Sequence, residues 1–506
     1  MEHFDVIVVG AGSAGGVAAA RLSEDVGRRV LLLEAGRDFP NEAMRPPLFT
    51  VSGEHSWLVP GLPEFDWEFQ DRDRAGRRGG RQILLPRGRL VGGSSMVNST
   101  IAARPAPFDM DRWASLGNRG WDWASMLPWF RRIETDLEHG AEPIHGHDGP
   151  IVIQRYKPSA WAPVNQVFAE ACAALRIRPV QDLNGIDSHS DVFGAMPHNR
   201  FKEVRQGTLV TYLRGARPRP NLTIRAQALV DRVMMRNGRA VGVRWIDQTG
   251  TSHECASEQV VMAAGVYNSP AILQRSGIGP AGLLRRLGIS LVCELPVGCG
   301  LTDHPGVAFM FHAPGIAATT GRFFATNWRG PAMRGLEPEW QTHPFPADAE
   351  EGICGLWTYL CRQESRGSVE ITSIDPTAAP DIDHDYLAAD EDVQRFGRSW
   401  EAARALLATK PFRDQQATWM RSDIDIREHL IGNLGSAHHQ SGTCRMGSDP
   451  ADSVVGADLR VHGTTGLMVI DSSAFPDTVM HNTNLACYVL GEIAAAQIVD
   501  RPPAAA

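Results

Sequence analysis

An α/β architecture, a Rossmann-like dinucleotide-binding domain joined to a second α+β domain, is what this sequence predicts. Three observations carry the prediction. The apolar run Asp5–Val9 leads into the glycine-rich turn GAGSAG and then into a segment of small residues, Gly15–Leu22. A second apolar run, RRVLLLEAG, ends in Glu34. The chain has 506 residues, more than one hydrophobic core usually organises, so at least two lobes are expected.

The first run is apolar and bounded by glycines, as a parallel strand buried on both faces would be. Gly10 permits the tight turn after it, Gly12 lets the backbone approach a pyrophosphate, and Gly15 lets the following helix pack close to the strand. The amides of that helix's first turn, at Ser13 and Ala14, then face the phosphates. Glu34 and the adjoining Ala35 lie where a carboxylate accepts the ribose hydroxyls of a dinucleotide. The glycine fingerprint does not separate NAD from FAD. Further along, TIRAQALVDRVMMRNGRAVGVRW reads as two strands joined by a turn at Asn237–Gly238. LMVIDSSAFP reads as a strand running to Asp471, and NTNLACYVLGEIAAAQIV as a final helix beginning near Asn482, a residue type favoured at N-caps.

Composition narrows the class. The formal charge of −8, with acids and bases interspersed, offers no basic face for nucleic acid and no polybasic run for anionic lipid. No apolar run reaches the roughly 18 to 20 residues of a spanning helix, since even VVMAAGVYNSPAIL is broken by Asn268 and Pro270. The sequence enters FDVIVVGAG without a leader of secretory type, so a cytoplasmic location is expected. Eight cysteines without a C-x-x-C pair fit reduced, mostly buried thiols. The Pro/Ala tail after Asp500 reads as disordered.

SAHHQSGTCRMG, Ser436 to Gly447, places His438 and His439 just before a Gly-Thr-Cys turn. Imidazole ligates metals, titrates near neutrality and packs passively in cores. The residues alone therefore admit a metal site, a redox thiol at Cys444, or a base aimed at a substrate.

GRLVGGSSMVNSTIAARPAPFDMDRW, residues 88 to 113, sets two glycines, two serines and an asparagine in a loop able to lie against a planar ring. This stretch resembles the first signature of the glucose-methanol-choline (GMC) oxidoreductases, FAD enzymes that oxidise alcohols. GVYNSPAILQRSGIG, Gly265 to Gly279, resembles their second, with Val266 where a smaller residue is usual. LGNRGWDWASMLPWFRRIE, IHGHDGPI, TDHP at Thr302 to Pro305 and HGTTGLMVIDSSAFP match as well, so the resemblance runs from about residue 4 to residue 498.

The resemblance implies FAD as cofactor. Besides the residues of the first turn and Glu34, it brings Arg89, Gly93, Ser94 and Asn98 of the glycine-serine loop to the cofactor. It adds Val230, whose backbone meets the adenine, then Ala264, Asp471 close to the flavin, Asn482 and Thr483. Some relatives attach the flavin through a histidine where Val97 stands here, so non-covalent binding is expected. In the family the pattern His-x-x-Gly-Thr supplies the base, which makes it His439, with Asn482 meeting the substrate oxygen and His438 lining the pocket. A hydride passes from the carbinol carbon to flavin N5, giving an aldehyde or ketone, and the electrons then go to oxygen or another acceptor. No acid or cysteine sits at ligand spacing from the histidines and the reaction needs no metal. Cys444, lacking a resolving partner, reads as a buried thiol.

The order of motifs makes the FAD domain discontinuous, residues 1–155, 206–305 and 432–506, with 156–205 and 306–431 forming the substrate lobe. Trp328, Trp340 and Trp357 suit a pocket wall and a core equally. DAEEG near Asp348 could meet a cationic alcohol or form a solvated loop. The His439–Asn482 pair, with GWDW and NTNL, resembles bacterial members that act on hydroxymethyl groups of aromatic or heteroaromatic alcohols, such as 5-hydroxymethylfurfural oxidase and pyridoxine 4-oxidase. The fold also hosts hydroxynitrile lyases and light-driven decarboxylases. Loss of flavin colour on adding an alcohol discriminates against the first, and the presence of His439 argues against the second.

Overall fold

The computed structural model describes residues 1–46, 62, 64–322, 324–334 and 337–499, and the Pro/Ala tail after Asp500 lies outside them. Five strands build a parallel sheet: Val6–Val9, Val30–Leu33, Leu222–Arg225, Gln259–Met262 and Leu467–Val469. Across the sheet they stand in the order third, second, first, fourth, fifth. The first two strands are buried at every position, which is why their sequences are uniformly apolar rather than alternating. The order reverses between the first and fourth strands. Ligands of open α/β sheets bind at the carboxyl ends of strands at such a point. Helices Ser13–Leu22 and Gly265–Arg275 both start there.

The hairpin Ala228–Arg236 and Arg239–Asp247 turns at Asn237 and Gly238, with φ of +51° and +74°. Consecutive left-handed residues give the turn whose twist matches paired strands. The last helix, Asn484–Val499, packs on Ser13–Leu22 so closely that a Cβ on Gly491 would lie 2.5 Å from the Ala14 carbonyl oxygen. Its buried Glu492 receives Arg21 at 2.9 Å, Arg132 at 3.0 Å and the Tyr212 hydroxyl at 2.6 Å, which offsets the cost of burying a carboxylate.

A second, eight-stranded sheet centres on Pro305–His312, Ile353–Leu360, Trp340–Asp348 and Thr326–Arg329. One face buries Val307, Phe309, Phe311, Leu356 and Leu360 in a core shared with helices Pro163–Ala174 and Asp390–Leu407. There Phe309 meets Trp400 at a ring separation of 4.9 Å. The other face lines a cavity with His343, Phe345, Trp357 and Tyr359. Two-residue alternation thus settles the tryptophans: Trp357 faces the cavity, while Trp328 and Trp340 are core residues in edge-to-face contact. The DAEEG run is an exposed turn in which Asp348 accepts the N–H groups of Glu350 and Glu351. All eight cysteines are free thiols, Cys444 among the buried ones. Among the described residues no helix is long and apolar enough to cross a membrane.

Candidate active site

A cavity of about 980 Å³ runs from the first glycine turn to the segments around His439 and Asn482. At its entry Gly10 has φ +97°, and a Cβ there would lie 2.4 Å from the Ala263 carbonyl oxygen. On Gly15 a Cβ would lie 1.9 Å from the Gly10 oxygen, so this glycine closes the helix onto the turn without itself lining the cavity. Helix Ser13–Leu22 has Gly12 at its N-cap and no side-chain cap, which leaves its first amides open to the crevice. Glu34 ends the second strand, accepting the Ala11 N–H at 3.0 Å on one oxygen and the Gly36 N–H at 2.9 Å on the other. Burial pushes its carboxyl up to about 7 against those two donors.

The glycine-serine loop meets this turn backbone to backbone, since a Cβ on Gly93 would lie 2.7 Å from Gly12 Cα. Ser94 Oγ accepts the Gly88 N–H, and Asn98 Oδ1 accepts the Thr100 N–H and an Arg205 N–H. Val230, Ala35, Ala264 and Thr483 line the cavity as well. Arg89 does not, its guanidinium lying 5.0 Å over the Trp67 ring. Asp471 follows the fifth strand and accepts the Gly265 N–H at 2.9 Å and the Ser269 hydroxyl at 2.6 Å. A carboxylate at the start of helix Gly265–Arg275 complements its dipole.

At the far end, Gly435–Ser436 pairs with the opening residues of strand Pro305–His312, and the loop that follows carries both histidines. His438 takes φ +65°, a left-handed conformation unusual for a side-chain-bearing residue. Asp303 anchors this bend: its carboxylate accepts the His439 N–H at 2.9 Å, the Tyr386 hydroxyl at 2.6 Å, Gln440 Nε2–H at 3.1 Å and the Ser436 hydroxyl. Ser436 Oγ in turn accepts the His438 N–H at 2.8 Å. The His439 ring is clamped at both nitrogens, with Nδ1 2.9 Å from His304 Nδ1 and Nε2 2.8 Å from Asn482 Nδ2. Burial, with His304, His438 and Arg87 nearby, holds His439 well below the usual imidazole range, and burial brings His304 down to about 4. Both rings are therefore neutral at ordinary pH. His438 opens into the same cavity, where Arg87 reaches its carbonyl oxygen at 3.2 Å.

The last helix begins at Asn484, two residues later than the sequence suggests. Asn482 therefore does not cap it. Its side chain points instead at His439, and its Oδ1 is buried without a protein partner.

Comparison with known proteins decides what this constellation belongs to. Residues 4–306 match the N-terminal domain of GMC oxidoreductase and residues 363–491 the C-terminal domain. The chain belongs to the GMC oxidoreductase family. The GMC chain is 32% identical to the oxygen-dependent choline dehydrogenase of Klebsiella pneumoniae, over 99% of its own length and 97% of the relative's. It is 33% identical to human mitochondrial choline dehydrogenase, over 99% and 90%. The structure of pyridoxine 4-oxidase from Mesorbium loti superimposes with a TM-score of 0.89 at 29% identity, over 99% of this chain and 100% of that one. A fungal aryl-alcohol oxidase shares the fold with a TM-score of 0.86 at 21% identity.

GMC oxidoreductases are FAD flavoproteins, and the residues present fit that cofactor. Open helix amides lie at one end of the cavity for a pyrophosphate, where Asn484 accepts the Ser13 hydroxyl at 2.8 Å and leaves its Nδ2 buried without a partner; the Gly12–Gly93 contact leaves no side chain in the path, and Asn482 Oδ1 is buried without a partner at the other end. In the sequence, Asp303 and His304 of the TDHP stretch carry no signal of their own, although Asp303 holds the loop of His439 and His304 its ring.

Proposed function

We propose that this GMC oxidoreductase oxidises a primary alcohol to an aldehyde, with His439 as the base and Asn482 holding the substrate oxygen. The observation that carries the reading is the convergence of His439 Nε2 and the Asn482 amide, 2.8 Å apart, at one end of the cofactor cavity. A hydroxyl entering between them would donate to the lone pair on Nε2 and accept from the amide. Burial keeps His439 neutral, and its Nε2 lone pair, which takes the Asn482 N–H here, serves as the general base once a substrate hydroxyl displaces that contact. His304 holds the ring through Nδ1, and Asp303 holds its backbone. FAD, when bound, supplies the hydride acceptor for the carbinol carbon and, once reduced, negative charge that offsets a protonated imidazole.

The same reading gives Gly10, Gly12, Ser13 and Ala14 to the pyrophosphate and Glu34 to the ribose, with the glycine-serine loop, Val230, Ala264, Asp471 and Thr483 along the rest of the cofactor. Arg89 acts from behind Trp67 rather than by lining the cavity. The cofactor domain comprises residues 1–155, 206–305 and 432–506. Oxygen or another acceptor reoxidises the enzyme.

Anaerobic titration with a panel of alcohols, repeated with oxygen and with an artificial dye, tests the proposal. Bleaching of the flavin by a primary alcohol is the expected result. No bleaching by any alcohol, together with cleavage of a cyanohydrin, would replace it with a lyase.

A further inference from the structure

The cavity-facing side of the second sheet has an unusual composition. Strand pairing sets Gly306 beside Tyr359, Ala308 beside Trp357 and Met310 beside Gly355 on one side, then His343 beside Trp357 and Phe345 beside Gly355 on the other. Directly opposed residues share a face. Large rings thus alternate with glycine and alanine. A Cβ on Gly306 would lie 2.6 Å from Trp357 Cζ2, and one on Gly435 would lie 3.1 Å from its Cη2. These two glycines are paired with each other across the strands that carry the base loop. Neither has a positive φ. Their backbones would accept any residue, so what requires glycine is the indole. Gly355 repeats the device, where a Cβ would lie 2.4 Å from Phe345 Cζ.

We propose that Trp357, seated in a slot formed by Gly306 and Gly435, is the specificity-determining wall of the substrate cavity and selects flat aromatic alcohols over aliphatic or cationic ones. The inference rests on the alcohol-oxidising reading above. Main chain backs the indole on one side and the cavity meets it on the other, so the ring is pre-organised and loses little freedom when a substrate packs against it. Phe345 and Tyr359 extend the same surface. The carboxylates that line the cavity, Glu34 and Asp471, both accept backbone N–H groups at the cofactor end. Among the described residues, none on this face offers a counter-charge to a quaternary ammonium group.

The test compares benzyl alcohol with cyclohexylmethanol, similar in size but not flat, and with choline, in the FAD-loaded wild type and in Trp357→Ala, Gly306→Ala, Gly435→Ala and Gly306→Ala/Trp357→Ala. FAD content and Tm are recorded for each. Wild type is expected to favour benzyl alcohol roughly three- to tenfold in kcat/KM, the scale of a well-placed aromatic pair. Trp357→Ala should bring the ratio near one. Gly306→Ala, or the milder Gly435→Ala, should lower it by displacing the indole, while the double variant should match Trp357→Ala. A wild-type ratio near one, a ratio unchanged in Trp357→Ala, or a preference for choline would overturn the proposal. Benzamide and cyclohexanecarboxamide, titrated against the flavin spectrum, read the wall without turnover. If no alcohol is oxidised, the alcohol reading fails, and the wall then stands or falls on whether benzamide binds more tightly and loses that advantage in Trp357→Ala.

Discussion

His304 and His439 face each other through their Nδ1 atoms at 2.9 Å, so one proton serves both. Asn482 donates to Nε2 of His439, which places the His439 proton on Nδ1 and makes His304 the acceptor. The arrangement fixes the tautomer that leaves a lone pair on the nitrogen nearest the substrate. A His304→Phe variant, which keeps the bulk and loses the acceptor, should retain FAD and slow flavin reduction up to about a hundredfold, the cost of a misplaced reacting group. Anaerobic stopped-flow absorbance reads it, and an unchanged rate would remove His304 from the reaction.

Removing the base itself should cost more. His439→Ala is expected to lose roughly 10²- to 10⁴-fold in the reduction step while still binding FAD. Asn482→Ala should lose less, and the pair should lose less than the product of the singles, because both act on one oxygen. Since the helix starts at Asn484, Asn482→Ala should leave Tm nearly unchanged. His438→Ala should alter KM more than the reduction rate.

Glu34 holds two backbone N–H groups as well as its proposed ribose. Glu34→Ala should therefore lose roughly 1.5 to 3 kcal/mol of cofactor affinity and purify partly free of FAD, with a lower Tm even in the apo form. Full FAD occupancy in that variant would move the ribose contact elsewhere.

Cofactor attachment is a separate question. Val97 lines the cavity and has no nucleophile. Acid precipitation should leave the yellow colour in the supernatant, and a coloured pellet would show a covalent bond.

Buried histidines, His198, His304 and His343 among them, make stability depend on pH. Desolvation pushes His198 down to about 3 and both His304 and His343 down to about 4. At each of these sites the unfolded chain binds more protons than the native one between those values and about 6.5, so each contributes stability that rises with pH across this window and levels off above it, opposed by Glu34, whose raised carboxyl keeps a proton in the native chain over the same window. Each histidine adds up to about 1.4 kcal/mol per pH unit. Urea unfolding between pH 4.5 and 7.5 should show the slope, and His343→Gln should reduce it by one histidine's share.

What was legible in the sequence is what local chemistry encodes. Gly10, Gly12, Gly15 and Glu34 declare a dinucleotide crevice because each acts within a few residues of its neighbours, and the uniformly apolar runs announce strands buried on both faces. His304 was silent because its meaning lies in contact with a residue 135 positions away, made by a pairing between Pro305 and Ser436 that no local pattern predicts. Trp357 could not be told from Trp328 without the strand register that decides which residues share a face. The final helix starts two residues beyond Asn482, which has the chemistry of a cap but commits its amide to His439, so that the turn begins after it.

The pairing of Gly435–Ser436 with strand Pro305–His312 has a consequence for anyone recombining relatives of this enzyme. The loop that carries His439 is stitched to the eight-stranded sheet, whereas Asn482 leads into the helix packed on helix Ser13–Leu22. A chimera that exchanges only residues 306–431 would keep both histidines in sequence yet hang them from a foreign strand. Such grafts should inherit the donor's pocket and lose turnover unless residues 302–306 and 435–441 travel together.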